Sequence, residues 1–97
     1  MAHGGHGCIS VTANVAPRLC SEFQIACMQG AFARALEIQD RLMPLHDAMF
    51  CEPSPAPVKY AASLLGLCTD EVRLPLVAAT DAARERVRDA LRAASLI

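Results

Sequence analysis

Gly7-Cys8-Ile9-Ser10-Val11-Thr12-Ala13 is the one stretch that reads as a β-strand, and nothing else in the chain can pair with it. It is short, rich in β-branched residues and preceded by glycines. A lone strand leaves amides and carbonyls unpaired along both edges, and helices cannot satisfy them. Its residues are apolar on both faces, the pattern of a central strand in a parallel sheet covered by helices. The neighbouring strands are therefore expected from other copies or from a larger polypeptide.

Everything after the strand reads as helix. Pro17 suits a first turn, and Leu19, Phe23, Ala26 and Cys27 recur at spacings of three and four until Gly30 stops the run at Gln29. A second helix is expected from Ala31 to about Phe50, with Phe32, Ala35, Leu36, Leu42, Met43, His46, Met49 and Phe50 on one face. Pro44 inside it should kink or divide it. Proline at every second position in Glu52-Pro53-Ser54-Pro55-Ala56-Pro57 predicts a stiff extended connector. A third helix follows from near Pro57 to Gly66, with Val58, Ala61, Ala62, Leu64 and Leu65 as its apolar positions. An irregular crossing spans Thr69 to Ala79. Thr80 caps a last helix from Asp81 to about Ser95, with Ala83, Val87, Leu91 and Ala94 inward. Arg84, Glu85, Arg88, Asp89 and Arg92 read as its solvated face.

With 97 residues the chain holds one domain at most. At 54% hydrophobic and 20% charged, it carries more apolar surface than a domain of this size readily hides. A formal net charge of −1 gives nucleic acid or an anionic membrane no attraction, so neither is expected as a partner. No run of eighteen apolar residues exists to span a bilayer, and Met1–Gly7 lacks the basic patch and apolar core of a signal peptide. Five cysteines at irregular spacing, with no Cys-x-x-Cys, argue against a zinc site and for reduced thiols in a cytoplasmic protein.

A strand followed by helices, with its partners missing, is how a (β/α)₈ barrel ends, and the wording of the sequence becomes specific at this point. Gly4-Gly5-His6-Gly7-Cys8-Ile9-Ser10-Val11-Thr12-Ala13-Asn14-Val15 resembles the eighth strand of dihydrodipicolinate synthases. Arg41-Leu42-Met43-Pro44-Leu45-His46, Glu52 to Lys59, Arg73-Leu74-Pro75-Leu76 and Val87-Arg88-Asp89-Ala90-Leu91 resemble the same family in the same order. The departures are mild: Cys8 where valine is common and Ser54 where asparagine is common.

The resemblance implies a TIM barrel family present only as its C-terminal fragment. One strand, barrel strand 8, precedes about four helices, so the chain is mostly α. Residues 1–30 would hold the last barrel strand and helix, and 31–97 the C-terminal helical region. A whole barrel takes ~250 residues. The implied enzyme is a lyase of the class I aldolase type, a cytoplasmic homo-oligomer, typically a tetramer. It condenses pyruvate with aspartate semialdehyde through a lysine Schiff base, needs no cofactor, and serves lysine and diaminopimelate biosynthesis. That lysine, with the proton-relay residues and the carboxylate-binding arginine, precedes strand 8, so the chain alone is expected to be inactive. Alternatives are a related Schiff-base aldolase such as an N-acetylneuraminate lyase, or a helical interaction module without enzymatic activity. The proline segment favours the lysine-pathway synthase.

One residue carries over. The isoleucine matching Ile9 lines the family's pyruvate pocket through its main-chain carbonyl, and barrel strands present groups to a site from their carboxyl ends. The Ile9 side chain itself reads as core. Lys59, the only lysine, lies in a helix where its stem can cover apolar surface while its ammonium stays wet, not in a desolvated barrel mouth. His3 and His6 flank glycines without a third ligand and read as loop, while Asn14, just after the strand, reads either as a residue that orients others at the active-site rim or, at least as readily, as a turn residue. His46 reads as a packed histidine bonded to a carbonyl, and Tyr60 as core or interface.

Overall fold

The computed structural model describes residues 1–97 and contains helices only. A 3₁₀ turn (Thr12–Asn14) precedes α1 (Pro17–Met28), α2 (Phe32–Met49), α3 (Ala56–Leu64) and α4 (Asp81–Ala93). α2 is the hub: it packs against α1 on one side and α4 on the other, and α3 closes against α4. The radius of gyration is 14.1 Å and the molecule measures 42 × 25 × 21 Å. A compact domain of this length would have a radius near 12.5 Å. The chain is therefore elongated, with a long apolar flank.

The expected strand is absent. Residues 5–10 run without turn, bend or ladder, and no backbone N–H or C=O between Gly5 and Ser10 finds a partner in the chain. The reason is the one that singled the segment out: a strand is defined by its neighbours, and 97 residues supply none. Its expected end was also too late. Val11 begins the turn, and Thr12 and Ala13 belong to the 3₁₀ helix, where the Val15 and Ala16 amides both donate to the Thr12 carbonyl.

The helices fall where the spacing places them. Gly30 and Gly66, at φ +70° and +72°, follow α1 and α3 in the left-handed conformation that glycine adopts without strain. Of the two outcomes open at Pro44, division does not occur: α2 runs unbroken for 18 residues, with no N–H from Pro44 to offer the carbonyl one turn earlier. The proline segment is not extended: residues 51–55 bend and turn, and α3 begins at Ala56. The Thr80 hydroxyl accepts from the Ala83 amide at 3.3 Å, as a cap should. Glu52 adds what the sequence did not announce: its carboxylate accepts from the Thr80 amide at 3.1 Å and the Thr80 hydroxyl at 2.5 Å. That ties the turn before α3 to the start of α4.

The core centres on Ile38, Leu42, Leu45 and Met49 of α2 with Val87 and Leu91 of α4. This corrects the apolar face expected for α2. Only Ala35, Leu42 and Met49 of that face are buried, joined by Ile38, Leu45 and Ala48. Phe32, Leu36, Met43 and Phe50 form a second stripe and remain exposed. Only 22 of the 97 residues are buried although 54% are hydrophobic, so the apolar excess expected from composition lies on the surface. No helix is long and apolar enough to cross a membrane.

Candidate functional site

Successive side chains of an extended segment point to opposite sides. Cys8 and Ser10 turn towards α1 and line a cavity of about 320 Å³ with Cys20, Phe23, Gln24, Leu42 and His46. Ile9, between them, turns away and is fully exposed, at 106% relative accessibility. Its side chain is therefore left uncovered by the rest of this chain. The surface that would bury it is not made by these 97 residues.

Behind Ile9 the chain is firmly held. Thr12 is the one buried polar residue, 1% exposed. Its Oγ1 lies 2.7 Å from Nδ1 of His46, in a hydrogen bond whose donor is set by the imidazole tautomer. The bond joins residues 34 apart and pins the turn to α2. His46 is thus bonded to a hydroxyl, not to the carbonyl expected. Asn14 Nδ2 donates to the Val11 carbonyl at 2.9 Å, and the Ala13 amide donates to Ser10 Oγ at 3.3 Å, so Asn14 does serve the turn. Replacing Thr12 by valine keeps the shape and strands His46 Nδ1. An unsatisfied buried group costs about 1–3 kcal/mol. Thermal melts should show that loss for Thr12→Val and much less for Thr12→Ser; equal loss in both would contradict the bond's importance.

The remaining candidates are scattered. Lys59 lies half-buried on α3 and its ammonium donates to the Glu71 carbonyl in an exposed contact, far from the desolvation a Schiff-base amine requires. His3 and His6 are exposed in the amino-terminal loop, and no three of the histidines, cysteines and carboxylates come close enough to hold a metal ion. All five cysteines are free. Burial pushes the Cys20 thiol up from its ordinary value, offset in part by a hydrogen bond from Ser10 and reinforced by the charge of Cys8. The Gln24 Oε1 atom, on the same cavity, is buried without a partner. Sequence reading missed this cavity. Its trace was the alternation Cys8, Ser10 set against Cys20, Phe23, Gln24 at helical spacing.

Tyr60 proves to be core, at 7% exposure, but with partners no spacing rule suggested. Its hydroxyl accepts from Arg88 at 2.7 Å, and the Arg84 guanidinium stands 4.9 Å above its ring while pairing with Asp70 at 2.7 Å. Two of the residues assigned to a solvated face of α4 are thus turned to α3 and the crossing segment.

The arrangement is an extended, unpaired segment ending at a stapled turn, with an apolar flank beside it. The chain as a whole is similar to known proteins. A synthase of 4-hydroxy-tetrahydrodipicolinate from Parvibaculum lavamentivorans is 67% identical over 96 residues, covering 99% of this chain and 33% of that protein. The crystal structure of dihydrodipicolinate synthase from Thermotoga maritima superposes at a TM-score of 0.96 with 38% identity, over 99% of this chain and 32% of that one. A chloride-inhibited dihydrodipicolinate synthase from Acinetobacter baumannii, complexed with pyruvate, superposes at 0.92 with 38% identity, over 97% and 32%. The chain thus spans about a third of the length of the relatives it matches, and these neighbours are TIM-barrel enzymes. With residues 1–94 matching the model of the dihydrodipicolinate synthetase family, the chain belongs to that family.

Proposed function

We propose that this chain is the carboxy-terminal third of a 4-hydroxy-tetrahydrodipicolinate synthase, a lyase that condenses pyruvate with aspartate semialdehyde in lysine and diaminopimelate biosynthesis. The observation that carries this reading is the match of nearly the whole chain, at a TM-score of 0.92, to a synthase complexed with pyruvate. In this reading residues 1–30 hold the last barrel strand and helix, and residues 31–97 the carboxy-terminal helical region. The free backbone of Gly5–Ser10 is the strand's pair of hydrogen-bonding edges, and the exposed Ile9 side chain is what a barrel interior would bury. The Ile9 carbonyl lines the pyruvate pocket beside a Schiff-base lysine contributed by preceding strands. The whole enzyme is a cytoplasmic homo-oligomer, and its chemistry needs no cofactor.

This chain's part in the reaction is positional. A carbonyl at the end of a strand is a fixed dipole, and pinning the following turn through Thr12 and His46 keeps it from moving as substrate arrives. The nucleophile lies elsewhere, because the one lysine of this chain sits on α3 with its ammonium in an exposed contact to the Glu71 carbonyl, not in a desolvated pocket.

Borohydride trapping tests this. The 97-residue chain with pyruvate should give no adduct at Lys59 and, with the semialdehyde added, no turnover. A chimaera in which these residues replace the matching third of the Parvibaculum lavamentivorans synthase should trap pyruvate at its own lysine and turn over. An adduct on Lys59, or a folded chimaera that fails to trap, overturns the reading.

A further inference from the structure

We propose that the uncovered flank of this chain docks one partner, the remaining two thirds of a family synthase supplied as a separate polypeptide, and that the two pieces reassemble into an active enzyme without a covalent link. The proposal rests on the function proposed above. Phe32, Leu36, Met43 and Phe50 recur four and seven residues apart and form one stripe along α2, about 27 Å long. They are between 41% and 61% exposed. A cavity of about 460 Å³ joins Gly7 and Cys8 of the extended segment to Phe23 and Cys27 of α1 and to Phe32 and Leu36 of α2. The free strand edges and the stripe are therefore one continuous surface.

That surface selects its occupant. The Gly5–Ser10 backbone calls for strands on both sides, and the stripe beside it calls for an apolar face. A second copy of this chain offers one strand only, and a two-stranded pair leaves each outer edge open. An open, helix-covered parallel sheet supplies both at once, and the two thirds of the relatives' length that this chain does not span belong to TIM-barrel enzymes. The chain is also built to act as a separate piece. Ile38, Leu42, Leu45, Met49, Val87 and Leu91 are at most 1% exposed, on a different side of α2 from the stripe. The Thr12–His46 and Glu52–Thr80 bonds are internal as well. The core thus forms without the partner, and a peptide link between the pieces adds effective concentration rather than geometry.

The test is co-expression of the chain, carrying an affinity tag, with the part of the Parvibaculum lavamentivorans synthase that it does not match, beside the covalent chimaera described above. The two pieces should copurify one to one, and borohydride should trap pyruvate on the untagged piece. Leu36→Asp should leave the free chain's circular dichroism unchanged, because Leu36 is exposed there. It should lower the copurified yield about tenfold or more, because docking would bury the new carboxylate in an apolar interface. An active chimaera together with pieces that do not copurify, or that copurify equally well with Leu36→Asp, overturns the proposal and leaves the proposed function standing. A partner that stays aggregated beside the chain, or a homodimer of the chain that excludes it, does the same. A folded chimaera that traps no pyruvate removes the proposed function, and this proposal with it.

Discussion

Leu45→Ala is expected to lower the stability of this chain by about 2–5 kcal/mol, the usual range for emptying a leucine site in a well-packed core. Leu45 is completely buried on α2, the helix that contacts all the others, within a cluster that takes in Leu42, Met49, Val87 and Leu91. Small domains hold roughly 5–15 kcal/mol in total, and one that buries so few of its residues belongs at the low end. The substitution therefore removes a large share of what there is, and the melting temperature should fall by about 10 °C or more. Leu36→Ala, on the exposed stripe of the same helix, should change stability by no more than about 0.5 kcal/mol. Urea titrations followed by circular dichroism would measure both. Similar losses at the two positions would mean that the division of α2 into a covered and an uncovered stripe is wrong.

That division marks where sequence pattern stopped being informative. Helix ends were legible because they are local: Pro17 at a first turn, Gly30 and Gly66 at left-handed stops, and Thr80 as a cap act through neighbouring backbone alone. The inward face of α2 was not legible. Ile38, Leu42, Leu45 and Met49 share one helical spacing, and Phe32, Leu36, Met43 and Phe50 another, and both stripes are equally apolar. Periodicity reports that a face is greasy, not which neighbour covers it. The chain provides cover for one stripe only.

The same limit explains the strand. The segment around Ile9 was read as a strand from its composition, and its composition suits one. Strand geometry needs partners, however, and the four helices offer no backbone groups to it. The turn after it was hidden for a different reason. Thr12 and His46 are 34 residues apart, and no spacing rule links a β-branched residue in one element to an imidazole in another. The Glu52 carboxylate on Thr80 and the shared cavity of Cys8 and Cys20 are likewise long-range meetings that only the assembled helices bring about.

Tyr60 is the sharpest case of such a meeting, and Tyr60→Ala should cost about 3–5 kcal/mol, as truncation of a buried aromatic usually does. Two contributions are separable. The phenol accepts a charge-assisted hydrogen bond from Arg88, and the ring fills the space between α3 and α4 beneath Arg84. Tyr60→Phe removes only the first. Because Arg88 is half-exposed and can turn to water, that loss should be about 1 kcal/mol. Arg84→Met removes the cation above the ring, worth about 0.5–1 kcal/mol at an exposed site. It also removes the ion pair with Asp70, whose side chains are 34% and 36% exposed, so solvent screening holds that contribution near 0–1 kcal/mol. Neither polar contact accounts for the alanine effect, so packing dominates and the guanidinium groups orient the ring. Denaturation midpoints for the three variants would test this order. If Tyr60→Phe proved as damaging as Tyr60→Ala, the hydroxyl would be the anchor instead, and α3 would be held to α4 by a single hydrogen bond.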